Sequence, residues 1–346
     1  MRRPGADYGR LAATSLVVSG LFWIGCGGSS GGSPAPPTAP TPPPGGAITG
    51  TVVDSLTTSP IPGVDVNMQG VGDVTSGADG SFRISTTTVE TAHLTTLSSA
   101  STVQRTTHLN APGPAATLSL IGSSFDLPSY DQMFRGDGGV LHRWTQAPSI
   151  VVQTRVLQYT NLTDVDYTAL SASMSDAEVS TLVGDLTWTL PQLTGNSFAA
   201  LANQTQETAA AGASVHVSRT GLIVVARYEG LTVATGYWGY TRWAWNGDGQ
   251  VQAAIMMIDR AFDTSNSVFR RSLHAHEFGH ALGYNHVTLR TSVMNADART
   301  EPTPFDRDGA TIAFERPPLN KTPDVDPDPF TINAARSSVL VWRGDR

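Results

Sequence analysis

The sequence predicts an α+β protein in which a larger C-terminal region of mixed strands and helices follows a small all-β module. Three observations carry that expectation. Between residues 47 and 121, short β-branched runs recur at turn spacing without a helical period. Ser149–Leu157 and Leu222–Ala226 are apolar runs of the length and composition of core strands. Two stretches carry helical signals, one opening at Ser175-Asp176-Ala177-Glu178 and one running from Leu273 through Leu282. Only 15% of the 346 residues are charged, against 34 glycines and 22 prolines, so many turns and a modest helix content are expected. The formal charge of −7 comes with no basic cluster, which argues against a nucleic-acid partner.

Residues 1–25 have the layout of an export signal: Arg2, Arg3 and Arg10 precede the largely apolar run Leu11–Gly25. That run is shorter than the roughly 20 apolar residues of a spanning helix. It ends at Cys26, the only cysteine in the chain, so the domain must be held together without an internal disulfide. Trp23-Ile24-Gly25-Cys26 resembles the end of a bacterial lipoprotein signal, although Trp23 stands where such signals usually have Leu. The resemblance implies lipidation of Cys26 and anchorage to the cell envelope, at the outer membrane or cell surface. Cleavage nearby without a lipid, or an uncleaved anchor, are the other readings. Residues 26–46, rich in Gly, Ser and Pro, form a tether that cannot bury a core.

In the module spanning 47–121, Ile48–Val53 and Val64–Met68 alternate around the turn Pro60-Ile61-Pro62-Gly63, and Ala78-Asp79-Gly80 turns into Ser81–Ile84. The order carried by Gly50, Val52, Asp54, Pro60, Pro62, Gly63, Val64, Val66, Asp79, Gly80, Phe82 and Ile84 resembles the carboxypeptidase regulatory-like sandwich. It implies a separate all-β domain serving as spacer or binding surface. Residues 122–145 form a connecting segment. Within it Phe134-Arg135-Gly136-Asp137 matches the short motif with which astacin-type proproteins cap their zinc. Asp137 is therefore either a latency ligand or part of the flexible turn Gly136–Gly139.

In the region 146–346, the helix opened by Ser175 carries Val179, Leu182, Val183 and Leu186 at helical spacing and is expected to stop before Pro191. Tyr237–Trp245 is an aromatic, Gly-broken segment, followed by the hairpin turn Asn246–Gly249 and the strand Val251–Asp259. Asp248 reads as a turn former; a calcium site there is possible on chemistry but nothing else supports it. Thr303–Phe314 resembles the last helix of metzincin protease domains, which implies that Asp306 could cap it and that Ile312 and Phe314 could wall a specificity pocket; Ser338–Trp342 reads as a closing strand.

The chemistry concentrates in His276-Glu277-Phe278-Gly279-His280-Ala281-Leu282-Gly283-Tyr284-Asn285-His286. Histidines four apart on a helix project the same way, so His276 and His280 can share one metal ion. Gly283 can take a positive φ, end the helix and return the chain with His286 as third ligand. Three imidazoles and an open fourth position describe a catalytic zinc site, with Glu277 as general base. His274, two residues before His276, projects elsewhere and reads as structural or surface. The extended pattern, with Met294 in Ser292-Val293-Met294, resembles the metzincin zinc proteases, most closely the matrixin branch; Asn295 and Val287 depart from it. The resemblance implies a twisted mixed sheet with two long helices, Met294 packed beneath the histidines, and hydrolysis of protein or peptide substrates. A substrate held extended along an edge strand near Tyr237–Trp245 is expected, as is activity falling below about pH 6 as the ligands protonate. Three alternatives stand beside this: a gluzincin-type site using Glu301, a non-catalytic adhesin that keeps zinc only for structure, and a surface binding or adhesion protein whose sandwich carries the function.

Overall fold

A computed structural model describes residues 46–86, 91–97, 99–110, 114–262, 267–329 and 340–344. The export signal, Cys26 and nearly all of the tether lie outside the described residues.

Seven short strands come first: β1 Gly46–Asp54, β2 Asp65–Met68, β3 Gly72–Thr75, β4 Ser81–Thr86, β5 Thr91–Thr96, β6 Thr106–Asn110 and β7 Ala116–Leu120. They form two sheets, β4-β1-β7 and β3-β2-β5-β6. Alternation puts Ile48, Val52, Val64, Val66, Phe82, Ile84, Leu94, Leu118 and Leu120 into one core between them. Asp79-Gly80 makes the tight turn: the Asp79 carboxylate accepts from the Ser81 amide at 3.0 Å, and Gly80 adopts φ +74°.

The connecting segment is core. It folds as a short helix α1, Leu127–Tyr130, continued by a wide turn of helix over Asp131–Arg135. Tyr130, Met133, Phe134, Leu141 and Trp144 are all buried in the main hydrophobic cluster.

The larger region is built on one curled sheet of β8 Ser149–Gln158, β9 Asp166–Ser173, β10 Asn203–Glu207, β11 Ser214–His216, β12 Leu222–Glu229, β13 Gly239–Trp245, β14 Val251–Asp259 and β15 Val341–Gly344. Its order is β11-β9-β8-β12-β14-β13-β15, with β10 alongside β8. The strands β8, β12 and β14 run parallel and are almost wholly buried, as a sheet covered on both faces requires. The antiparallel β13 follows β14 in the order and carries the aromatic segment.

Among the described residues the further helices are α2 Asp176–Gln192, α3 Leu231–Thr235, α4 Arg270–Ala281 and α5 Pro304–Glu315. Ser175 and Glu178 close a reciprocal cap on α2, which runs on through Pro191 to Gln192. The extension is tolerated because Pro191 falls in the last turn, where Gln192 Nε2 donates to the Trp188 carbonyl at 3.0 Å and the Thr194 hydroxyl to that of Leu190 at 2.8 Å.

The expected α+β metzincin fold, with two long helices and a separate all-β domain, does not hold. Among the described residues strand accounts for 36% and helix for 22%, so the protein is mainly β. Two of the three principal helices span 12 residues each, α4 being stopped near Gly283 and α5 at Arg316, just before Pro317-Pro318. The high Gly and Pro content cuts helices short while sustaining many strands. The sandwich is not separate either, because residues from Pro43 to Arg346 form one compact unit. Arg316, fully buried, donates to Asp324 at 2.8 Å and also to Ser55 and to Ser119 of β7. Arg105 donates to the Ser119 carbonyl at 2.7 Å and pairs with Asp326 at 3.2 Å. A buried charge must be paired, and here the partners come from both regions.

Candidate metal centre

The site is assembled on α4 and the loop after it. Ala275, Phe278 and Ala281 bury one side of α4 in the core. His276 and His280, one turn apart, project together as their spacing requires. Leu282 still donates to the Phe278 carbonyl, and Gly283 then adopts φ +106°. A Cβ there would stand 2.7 Å from the His142 carbonyl oxygen, so glycine is needed for space as well as for torsion. The indole of Trp144 donates to the Ala281 carbonyl at 2.9 Å, satisfying one of the acceptors the helix end exposes.

The returning loop is held by the connecting segment. The Asn285 amide donates to the Met133 carbonyl at 2.8 Å. Gln132 Oε1 accepts from the amides of Thr288 at 3.0 Å and Leu289 at 3.4 Å. These bonds bracket His286 on both sides. The Nε2 atoms of His276, His280 and His286 consequently converge, 3.1, 3.3 and 3.3 Å apart.

That separation is a test of whether a metal fits. Three nitrogens about 2.0–2.1 Å from one ion at tetrahedral angles lie about 3.3 Å from each other. The three histidines could therefore hold a metal ion, and among the described residues they form such a group. Their protonation suits it. His276 Nδ1 bonds the Val293 carbonyl and His280 Nδ1 the Tyr284 carbonyl, each at 2.8 Å, which places the ring proton on Nδ1 and makes Nε2 the atom that would face a cation. Burial, reinforced by His286 and by Arg343, pushes His280 down to about 3, so this ligand stays neutral well below pH 6.

Met294 is fully buried, with its sulfur against α4 at Gly279. Gly279 permits its approach, since a Cβ at that position would collide with the sulfur. The turn around Met294 is fixed by Asp306, also fully buried. The Ser292 hydroxyl donates to Asp306 Oδ1 at 2.5 Å and the Val293 amide to Oδ2 at 2.9 Å. Because the Val293 carbonyl receives the His276 ring, Asp306 reaches that histidine through the backbone of one residue. Thr303, not Asp306, is the cap of α5; Asp306 reciprocates from the third helical position. Val287 and Asn295 turn out to be partners, as Asn295 Nδ2 donates to the Val287 carbonyl at 2.7 Å.

Glu277 is buried against β13, where Thr241 Oγ1 donates to its Oε2 at 2.6 Å. Gly239 lies so close to Oε1 that a Cβ could not be accommodated. On the same strand Trp243 stacks on His280, 5.6 Å between centroids and 14° between planes. Two cavities share His286 in their walls. One, of ≈380 Å³, is bounded by Trp243, His280, Asn285, Arg343 and Gly344. The other, of ≈450 Å³, is bounded by Tyr237, Trp238, Phe262, Phe269, Leu273 and Arg299. Ile312 and Phe314, expected at a specificity pocket, are core residues and wall neither cavity.

Other expected residues separate from the centre. His274 is buried, its Nδ1 on Asp185 at 2.8 Å and its Nε2 3.3 Å from Arg227, tying α2 to α4. Glu301 pairs with Arg271 at 2.6 Å and is not in the metal-binding group. Asp137 sits in the short turn Gly136–Gly138, with its side chain outside the described residues. Asp248 belongs to the hairpin turn, where its amide donates to Asn246 at 3.0 Å. The closing strand spans Val341–Gly344, and Ser338 and Val339 lie outside the described residues. No helix among the described residues is long and apolar enough to cross a membrane.

No protein-family model and no curated protein matches this chain. Solved structures give distant matches. A streptococcal ancillary pilin matches at 21% identity over 23% of this chain and 30% of its own, with a TM-score of 0.19. The Bacillus anthracis TIE protein matches at 7% identity over 58% of this chain and 38% of its own, also with a TM-score of 0.19. The chain thus spans well under half the length of either.

Proposed function

We propose that this protein is an exported zinc-dependent endopeptidase. The convergence of three imidazole Nε2 atoms, with a buried glutamate following the first of them in sequence, is the observation that supports the reading most. The proposal concerns the site: the pattern from His276 to Met294 resembles that of metzincins within a mainly β fold.

In this reading His276, His280 and His286 hold the ion, and the histidine set with one open position favours zinc. Zinc bound there supplies Lewis acidity toward a peptide carbonyl and makes water a nucleophile near neutral pH. Glu277 accepts the water proton and passes it to the leaving amine. Thr241 holds Oε2, fixing the plane of the carboxylate for that transfer. The ring face of Trp243 keeps His280 oriented and shielded from water on that side. The aromatic cavity beside His286 suits an apolar substrate side chain. Arg2, Arg3, the apolar run to Gly25, Cys26 and the tether support export with a lipid anchor at the bacterial envelope.

A peptide library incubated with the purified protein, with and without chelator, tests the activity. Cleavage that stops with chelator and returns with zinc is expected. The ligand set is tested separately: His286→Ala should abolish zinc binding and Glu301→Ala should leave it intact. Loss of zinc in Glu301→Ala with retention in His286→Ala would replace this site by a gluzincin-type one.

A further inference from the structure

A peptide substrate binding in extended form needs a strand edge beside the metal. β13 is the strand nearest Glu277 and His280, and β14 already fills one of its sides, from Gly239↔Ile258 to Trp245↔Val251. On its other side the chain's own β15 is paired antiparallel: Arg242↔Gly344, Trp243↔Arg343, Ala244↔Trp342 and Trp245↔Val341.

This pairing sets β15 at the centre rather than merely near it. The Arg343 guanidinium lies 5.9 Å over Trp243, the ring that stacks on His280, and the Arg242 guanidinium lies 5.1 Å over Trp342. Arg343 and Gly344 wall the ≈380 Å³ cavity together with His280 and His286. Gly344 packs on the Tyr240 hydroxyl so closely that a Cβ would collide with it. Among the described residues the pairing with β15 runs from Trp245 to Arg242. β15 is also lightly held: it has four residues, and none of them is fully buried.

We propose that β15 is a tethered competitor, seated on the edge of β13 that the substrate must use and displaced when substrate binds. This rests on the peptidase reading above. A tethered strand competes at an effective concentration set by its connection, commonly in the millimolar range, so even weak pairing suffices to mask the edge. The substrate class follows: an extended peptide running antiparallel to β13, for which Leu340-Val341-Trp342-Arg343-Gly344 is the internal template.

The test compares the full chain with a form lacking residues 340–346, and with Trp342→Pro and Arg343→Pro. Adjacent residues of a strand direct their amides to opposite sides, so one of the two prolines removes a ladder bond to β13. Each protein is loaded with zinc, and KM and kcat are measured on one peptide. The proposal expects the deletion and one proline form to show a KM about tenfold lower. The synthetic peptide Leu-Val-Trp-Arg-Gly, titrated calorimetrically, should bind the deleted form and bind the full chain at least tenfold more weakly. Equal KM in all four proteins, or equal peptide binding by full and deleted chains, overturns it. If none of the zinc-loaded proteins cleaves peptide, the peptidase reading falls, and the calorimetric comparison still decides whether β15 occupies a peptide seat.

Discussion

Two glycines set how tightly the metal centre is built. Gly239 lets the β13 backbone rest on the Glu277 carboxylate, and Gly279 lets α4 rest on the Met294 sulfur. A methyl group at either place has nowhere to go without moving its neighbour. Gly239→Ala should displace Glu277, the proposed general base, while leaving the histidines alone. A shift of about 1 Å in a catalytic group costs on the order of 100-fold in rate, so kcat should fall by about that factor with zinc content unchanged. An unchanged kcat would show that this contact does not position Glu277. Gly279→Ala acts at the Met294 contact, and thermal unfolding should show a loss of about 1–3 kcal/mol from overpacking. Neither role is visible in residue type alone. His276, His280, Glu277 and Gly283 were legible because their spacing maps directly onto helix geometry; a close approach between Gly239 and Glu277 depends on how a strand packs on a helix.

At the scale of elements, the placing of His286 beside His276 and His280 depends on segments that carry none of the three. The loop after α4 hangs from Gln132 and Met133 of the connecting segment, and the Met294 turn hangs from Asp306 at the start of α5. Asp306→Ala would strip the buried Val293 amide and Ser292 hydroxyl of their acceptor. Leaving such groups unsatisfied costs about 1–3 kcal/mol apiece. Zinc affinity should fall about 10- to 100-fold because His276 loses its orienting peptide. A competition titration against a chromophoric chelator measures this, and an unchanged affinity would cut the link from Asp306 to the ligand. The strands β8 and β12 could be read from their apolar runs, β14 from the hairpin turn before it and the cap of α2 from its end signal, all of which are local. The pairing of β15 with β13, about a hundred residues away, and the bond between Asn295 and Val287 are tertiary and leave no periodic trace.

For the whole molecule, the question is what joins the sandwich to the metal-binding region. Composition suggested two domains on a join; the structure has one unit sewn by buried charges, with Arg316 and Asp324 at its centre. Burial pushes Asp324 up, but the Arg316 charge and its hydrogen bonds more than offset this and hold it below its usual 3.8. The same pairing raises Arg316 against its own burial. A carboxyl depressed in the folded state adds stability above its unfolded pKa and loses it as pH falls through the folded value. Unfolding free energy should therefore drop below about pH 4, and Asp324→Asn should flatten that acid limb. An acid limb of the same slope in the mutant would exclude the pair as its source. Asp324→Ala should cost about 3–5 kcal/mol at neutral pH, since it leaves the buried Arg316 guanidinium with only the partly exposed Glu315 as carboxylate partner. Removing residues 47–121 would strip Arg316 of Ser55 and Ser119, so the metal-binding region should be less stable alone.

The central claim is that His276, His280 and His286 hold a catalytic zinc served by Glu277. It is tested most directly by measuring zinc per chain and peptide turnover for the wild type and Glu277→Ala side by side. The account predicts one zinc per chain in both, with turnover in the variant reduced by about 10²- to 10⁴-fold. Chelator-sensitive turnover at the wild-type rate in Glu277→Ala, or a wild type that binds zinc and cleaves nothing, would contradict it.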